Sequence, residues 1–475
     1  MTTTAISLIM SESSPSPSNL SITTERTLHD SDDSGGLTVM NIPLALYIHI
    51  PWCVKKCPYC DFNSHELPKV DQVSMAQQYD DYVDALLADA QSQKRFVQGR
   101  KLMSIFIGGG TPSLLPILQY QRLFEGLRAC FDFAADIEIT MEANPGTLEH
   151  APFSEYLAVG INRLSIGVQT FATSQLKTLG RIHDATQAVT AIRAAREAGF
   201  MRVNVDLMHG LPQQSLVAAL HDIQLAHDTG ATHISWYQLT IEPNTVFYRD
   251  QPILPDEDRL ADIEQAGYAL LQSLGYSNYE VSAWVGRLDK PCRHNVNYWQ
   301  FGDYLAIGAG AHGKVSINPS LLVGEAVSFS ETTNLIAESG LSDADQRFDR
   351  GIYRFSKSRL PKDYMPRNHM PKDQGYITSE DNDSHSEKSI TAPKMVGWQA
   401  IADDELVSEF MLNALRLNEG VSWQLFESRT GVSYEHIAAS VEKLITQKLL
   451  IESKDKLKPT KLGQRYLNQI LREFI

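Results

Sequence analysis

Three of the chain's five cysteines fall in one short stretch, Cys53-Val54-Lys55-Lys56-Cys57-Pro58-Tyr59-Cys60. Thiolates spaced CxxxCxxC can hold three irons of a four-iron, four-sulfur cube, which proteins usually ligate through four cysteines. With three ligands, one iron keeps an open position for another molecule. A structural zinc ion is the alternative, with His65 or His49 as a fourth ligand, although such sites usually add a second CxxC pair. The other cysteines, Cys130 and Cys292, stand alone. A disulfide would leave one of the three thiols over. Clustered cysteines suit metal ligation in a reducing compartment, so a cytoplasmic protein is expected.

A short apolar run, Leu44–Ile50, leads into the cysteines and reads as a buried strand. Further strand candidates are Leu102–Ile107, Ile137–Met141, Arg163–Val168, Arg202–Leu207 and His233–Leu239. Amphipathic stretches separate them: Tyr79–Phe96, Leu118–Cys130, Ala185–Ala198 and Ser215–Asp228. Such βα repetition predicts a parallel sheet with right-handed crossovers. Six units make an α/β fold, a partial (β/α)6 barrel of the TIM type, whose ligands sit at the carboxyl ends of the strands. Unusual residues do follow the strands: the cysteines, Gly108-Gly109-Gly110-Thr111-Pro112, Glu142, Gln169, and Asp206 with His209.

The 475 residues carry 43% hydrophobic and 21% charged side chains, as a globular chain does. The net charge of −15 argues against nucleic acid held by phosphate attraction. No apolar stretch is long enough for a membrane span, and Met1–Met10 lack the marks of a signal peptide. Residues 1–40, rich in Ser, Thr and Asp, read as a disordered tail. Residues 41–315 hold the barrel and the segment after it. Residues 316–400 connect, with a Pro- and Lys-rich insertion near 363–395 that reads as mobile. Helical patterns return in 401–475 in the order of a small α+β winged-helix-like domain, read as a packing module given the acidic chain.

The order Tyr47-Ile48-His49-Ile50-Pro51-Trp52, CxxxCxxC, GGGTP, Glu142, Gln169 and Asp206 resembles the radical S-adenosylmethionine (SAM) superfamily. More narrowly it resembles the HemN/HemW group, which holds the oxygen-independent coproporphyrinogen III oxidase and a haem chaperone. The resemblance spans about residues 43 to 315 and resumes near the C-terminus. It implies a four-iron, four-sulfur cluster on Cys53, Cys57 and Cys60, with SAM chelated at the open iron. In the superfamily one electron from the reduced cluster, supplied by an electron donor, cleaves SAM to a deoxyadenosyl radical, a cleavage on which haem transfer does not depend. It implies that Tyr59 lies against adenine and that Tyr47 meets the methionine end of SAM. Gly109, Gly110 and Thr111 bring backbone close to the ligand, and Glu142 accepts from ribose or amino groups. Gln169, Arg181 and Asp206 match positions lining the same mouth, where the oxidase holds a second SAM. Read without the family, GGGTP is a tight turn, Arg181 a surface ion-pair partner and Asp206 a cap.

Two features separate the members. The oxidase resembles CxxxCxxCxC, and here Phe62 stands at the extra cysteine's place. The run His294-Asn295-Val296-Asn297-Tyr298-Trp299 matches an HNxxYW signature implicated in haem binding. Imidazole ligates haem iron, and Tyr298 and Trp299 offer flat apolar surface; Cys292 is a rival thiolate. A polar loop packed over its own aromatics is the plain alternative. The resemblance thus implies a haem chaperone that carries haem as cargo, forms a homodimer around its cluster and delivers haem to respiratory haem proteins, membrane-bound recipients among them. The other readings are the oxidase reaction, which turns two propionates of coproporphyrinogen III into vinyl groups, and a HemN-like radical SAM methyltransferase.

Overall fold

The computed structural model describes residues 39–147, 151–322, 327–328, 351–365, 395–453 and 455–475. Nearly all of the expected N-terminal tail and of the 363–395 insertion lies outside the described residues.

The run Leu44–Ile50 forms the central strand β1, buried along almost its whole length, as a strand covered on both faces must be. Strands β2 (Leu102–Gly109), β3 (Phe133–Ala143), β4 (Arg163–Gln169), β5 (Arg202–His209) and β6 (His233–Gln238) follow it across the sheet in chain order, each parallel to the one before. The crossovers carry helices α1 (Gln72–Gln93), α2 (Ile117–Cys130), α3 (Ala185–Glu197) and α4 (Leu216–Asp228); α5 (Glu257–Ser273) follows β6. Side chains fix where several of these helices begin. Asp71 accepts from the amides of Val73 and Ser74, Asp184 forms a capping box with Gln187, and Ser215 and Asp256 cap α4 and α5.

The sheet is wider than six strands. After α5, β7 (Tyr276–Asn278) and β8 (Ala283–Gly286) add antiparallel beyond β6. The chain then crosses back through a short helix, α6 (Arg293–Trp299), and lays β9 (Asp303–Ile307) parallel to β1 on its other side. Strands β10 (His312–Ile317), β11 (Val327–Ser328), β12 (Gly351–Lys357) and β13 (Met395–Ala400) extend that edge, giving thirteen strands in one sheet among the described residues. The segment read from sequence as an aromatic, polar run is therefore a helix, and a strand beside β1 precedes the glycine cluster at 308–313.

A single apolar core runs under the barrel helices. A second fills the C-terminal region, around Phe410, Phe426, Leu444 and Ile470, and takes in Phe301 and Ile352 from the sheet side. Its helices α7 (Asp403–Ala414), α8 (Trp423–Thr430) and α9 (Ala438–Thr446) accompany a two-stranded antiparallel pair, β14 (Val421–Ser422) with β15 (Lys456–Leu457). Among the described residues no helix is long and apolar enough to cross a membrane.

Candidate functional site

The cysteine loop leaves the carboxyl end of β1 and is fastened to the loop after β2. The amide of Gly110 donates to Ile50 O (2.8 Å) and that of Thr111 to Trp52 O (2.7 Å). A Cβ on Gly110 would lie 2.5 Å from Trp52 O, and Gly109 has φ +115° with the His49 ring 2.6 Å from its Cβ position. The two glycines therefore let one backbone lie directly on the other, a closer fit than an isolated tight turn needs.

Each sulfur has a polar neighbour. Thr111 Oγ1 donates to Cys53 Sγ (3.6 Å), Arg181 Nη1 donates to Cys57 Sγ (3.6 Å), and Ser64 Oγ lies 3.7 Å from Cys60 Sγ. The three thiols are half-buried and unpaired, and burial pushes those of Cys53 and Cys60 upward. Among the described residues no three His, Cys, Asp or Glu side chains converge on a single-ion site. A cube asks for a wider arrangement, because each thiolate takes a different iron. His49 is also a poor zinc ligand here, since Nδ1 meets Tyr47 OH (2.9 Å) and Nε2 meets Asn63 O (2.8 Å). Burial lowers its pKa to about 4, so it is a neutral brace between β1 and the cysteine loop.

Arg181 is no surface residue. Its Nη2 donates to Asn144 Oδ1 (2.7 Å) and Gly167 O (2.6 Å), and Nε is buried without a partner. Tyr59 and Cys57 head the groups favouring its charge, and among the described residues it pairs with no carboxylate. A buried guanidinium without a counter-charge is costly. An anionic group held by the neighbouring thiolates would neutralise it, so the donor set fits an iron–sulfur cluster.

Glu142 and Asp206 lie within the barrel. Gly109 N donates to Glu142 Oε2 (3.2 Å), while Ser165 Oγ (2.9 Å) and Asn204 Nδ2 (2.8 Å) donate to Asp206, which caps no helix. Burial raises both carboxyls, and the charge of Asp206 adds to the rise of Glu142, to about 8. The folded state thus holds the Glu142 proton more tightly than the unfolded chain. Its contribution to stability is full below about pH 4.5 and is lost as pH rises through about 8. Urea midpoints of the apoprotein should fall across this window, and Glu142→Gln should flatten the fall; an unchanged slope would show that Glu142 is not the group responsible.

Gln169 takes φ +69° at the end of β4, and Tyr237 OH donates to its Oε1 (2.8 Å). Tyr59 packs against Phe247 at 6.2 Å, and its hydroxyl lies 3.5 Å from Arg181 Nη1. Tyr59, Gln169, Arg181 and Asp206 thereby gather around β4 to β6. Tyr47, Gly109 and Glu142 line a cavity of about 630 Å³ that also has His294 and Tyr298 on its wall.

His294 reaches this cavity because Glu138 anchors its helix. The Glu138 carboxylate accepts from Arg293 N (2.9 Å) and is itself paired with Arg202 (2.5 Å). The His294 ring stacks on Phe106 with centroids 4.7 Å apart, and lies 6.3 Å from Tyr47. Burial lowers its pKa to about 4, and Nδ1 has no partner. Cys292 sits on the Glu138 side: its thiol donates to Oε1 (3.4 Å), and burial pushes it up to about 12. It is a neutral buried thiol that does not line the cavity. Trp299 does not join the cavity either. It packs with the C-terminal core, under the guanidinium of Arg416 at 5.0 Å. Phe106, Asn63, His312 and Arg359 also line the wall; Asn63 follows the cysteines and His312 lies in the glycine cluster, but sequence reasoning gave none of the four a ligand role, and no motif marks Phe106 or Arg359.

The profile of the Radical SAM superfamily matches residues 47–226. The heme chaperone HemW of Escherichia coli (strain K12) is 42% identical over 91% of this chain and 98% of its own. The chain belongs to the HemW family. The HemW of Haemophilus influenzae is 41% identical with the same coverage. The HemN C-terminal domain profile matches residues 401–466, the region of α7 to α9. The fold is also that of the coproporphyrinogen III oxidase HemN from Escherichia coli, with TM-score 0.66, 21% identity and 92% of both chains covered. Phe62, where the resemblance to the oxidase calls for a cysteine, is 63% exposed at the cavity mouth, and this HemW-family chain places no thiol there.

Proposed function

We propose that this chain is a haem chaperone, which binds haem and delivers it to haem proteins, respiratory ones among them. The observation that carries the reading is His294: a neutral imidazole with an unpartnered nitrogen, on an aromatic wall, beside the cysteine loop. Neutral imidazole is the form that ligates iron. Phe106 and Tyr298 give a porphyrin face apolar surface.

Cys53, Cys57 and Cys60 are the residues to hold a four-iron, four-sulfur cluster, with Arg181, Thr111 and Ser64 balancing and bonding the sulfurs. Tyr47, Gly109, Gly110, Thr111 and Glu142 are placed for SAM at the open iron, and Tyr59, Gln169, Arg181 and Asp206 line the adjoining mouth. Bound together, cluster and SAM supply one-electron chemistry. In a chaperone their role is to shape the mouth, so haem transfer needs no SAM turnover. An electron donor, a homodimer and a cytoplasmic location belong to the same reading, in which Trp299 couples the haem helix to the C-terminal domain.

The test is a paired assay on the cluster-loaded protein. Haem preloaded on the chain should pass to an apo haem protein in stoichiometric amount. Coproporphyrinogen III with SAM and reductant should yield no carbon dioxide and no protoporphyrinogen. Carbon dioxide release with SAM consumption, and no transfer, would replace the chaperone with the oxidase.

A further inference from the structure

Haem brings two carboxylates as well as a flat apolar ring, and the haem reading leaves them without partners. Of the side chains on the wall besides Arg359, His312 is held toward its neutral form by burial, and the remaining charged groups do not suit a carboxylate. Glu142 and Asp61 are acidic. Lys357 lies on the wall, but its ammonium is buried against Asp89 at 2.5 Å.

Arg359 is different. It lines the mouth of the same cavity and is exposed. Its backbone is fixed: Asn63 Nδ2 donates to Arg359 O (2.8 Å), and the preceding Ser358 O accepts from Gly310 N (2.8 Å). Asn63 is three residues beyond Cys60, so the same bond ties Arg359 to the cysteine loop. Its guanidinium has no hydrogen-bond or ion-pair partner among the described residues. Burial first, and the Arg359 charge after it, lower the pKa of His312. The charge therefore bears on His312, which lines the same cavity.

We infer that Arg359 is the carboxylate anchor of this cavity, gripping a haem propionate at the mouth while the ring lies against the His294 wall. This rests on the haem reading. A planar guanidinium suits the role because it meets a carboxylate through two parallel hydrogen bonds. The carboxylate of SAM offers the same chemistry, so the test must separate the two sources.

The experiment compares wild type with Arg359→Gln, both cluster-loaded, titrated with haem, with haem dimethyl ester and with SAM. Wild type should bind haem about tenfold more tightly than the ester, since one charge-assisted pair is lost. Arg359→Gln should lose about that factor for haem, bind the ester as wild type does, and keep its SAM affinity. The variant should fold normally, because only its backbone takes part in the structure. Equal discrimination against the ester in both proteins would overturn the anchor. So would a loss confined to SAM, which would move Arg359 to that ligand. Failure of wild type to bind either porphyrin would overturn the haem reading, and the anchor with it.

Discussion

Replacing any one of Cys53, Cys57 and Cys60 with alanine will abolish the cluster: iron and acid-labile sulfide should fall from about four each per chain to near zero. The loop has no spare thiol. Phe62 occupies the place of an extra cysteine, Cys292 is buried against Glu138, and Cys130 sits at the end of α2 with its sulfur on Gln91 (3.3 Å). Nor can His49 step in, with both ring nitrogens engaged. Cys130→Ala should therefore keep full iron and sulfide content, and it controls for general loss of a thiol. The apoproteins should stay folded, because the loop is held by backbone bonds to Gly110 and Thr111 rather than by the metal. Intact iron and sulfide in a Cys57→Ala protein would refute the assignment.

Much of the barrel was legible because its strands are buried on both faces and read as apolar runs, while helices announce their starts with Asp184, Ser215 and Asp256; the first helix begins at Gln72, seven residues before the Tyr79 start that periodicity predicts. What failed to show was what tertiary contacts impose. The segment Arg293–Trp299 contains two asparagines and a valine, weak helix formers. It is helical because Glu138 holds its first amides and Phe106 packs on His294. Once it is a helix, the direction of Trp299 follows. Residues four apart share a face, so His294 and Tyr298 point together into the cavity. Trp299, one residue further on, turns by about 100° toward the C-terminal domain. Strand β9 was hidden by the glycines that follow it.

The SAM-type residues were legible through the order of motifs along the chain. Their division was not. Tyr47, Gly109 and Glu142 share the cavity of His294, whereas Arg181, Gln169 and Asp206 cluster toward β4 to β6. Spacing in sequence could not separate these groups, because every strand end points to one mouth. Arg359 carried no signal at all, since its place depends on Asn63 reaching across from the cysteine loop.

The central claim is that this cavity holds haem through His294. An anaerobic haem titration of cluster-loaded protein, wild type beside His294→Ala, tests it most directly by absorbance. Wild type should bind one haem per chain saturably. The variant should bind at least about tenfold more weakly, a loss of about 1.4 kcal/mol or more, with an altered Soret band as the axial imidazole is removed. Unchanged affinity and an unchanged Soret band in His294→Ala would contradict the account.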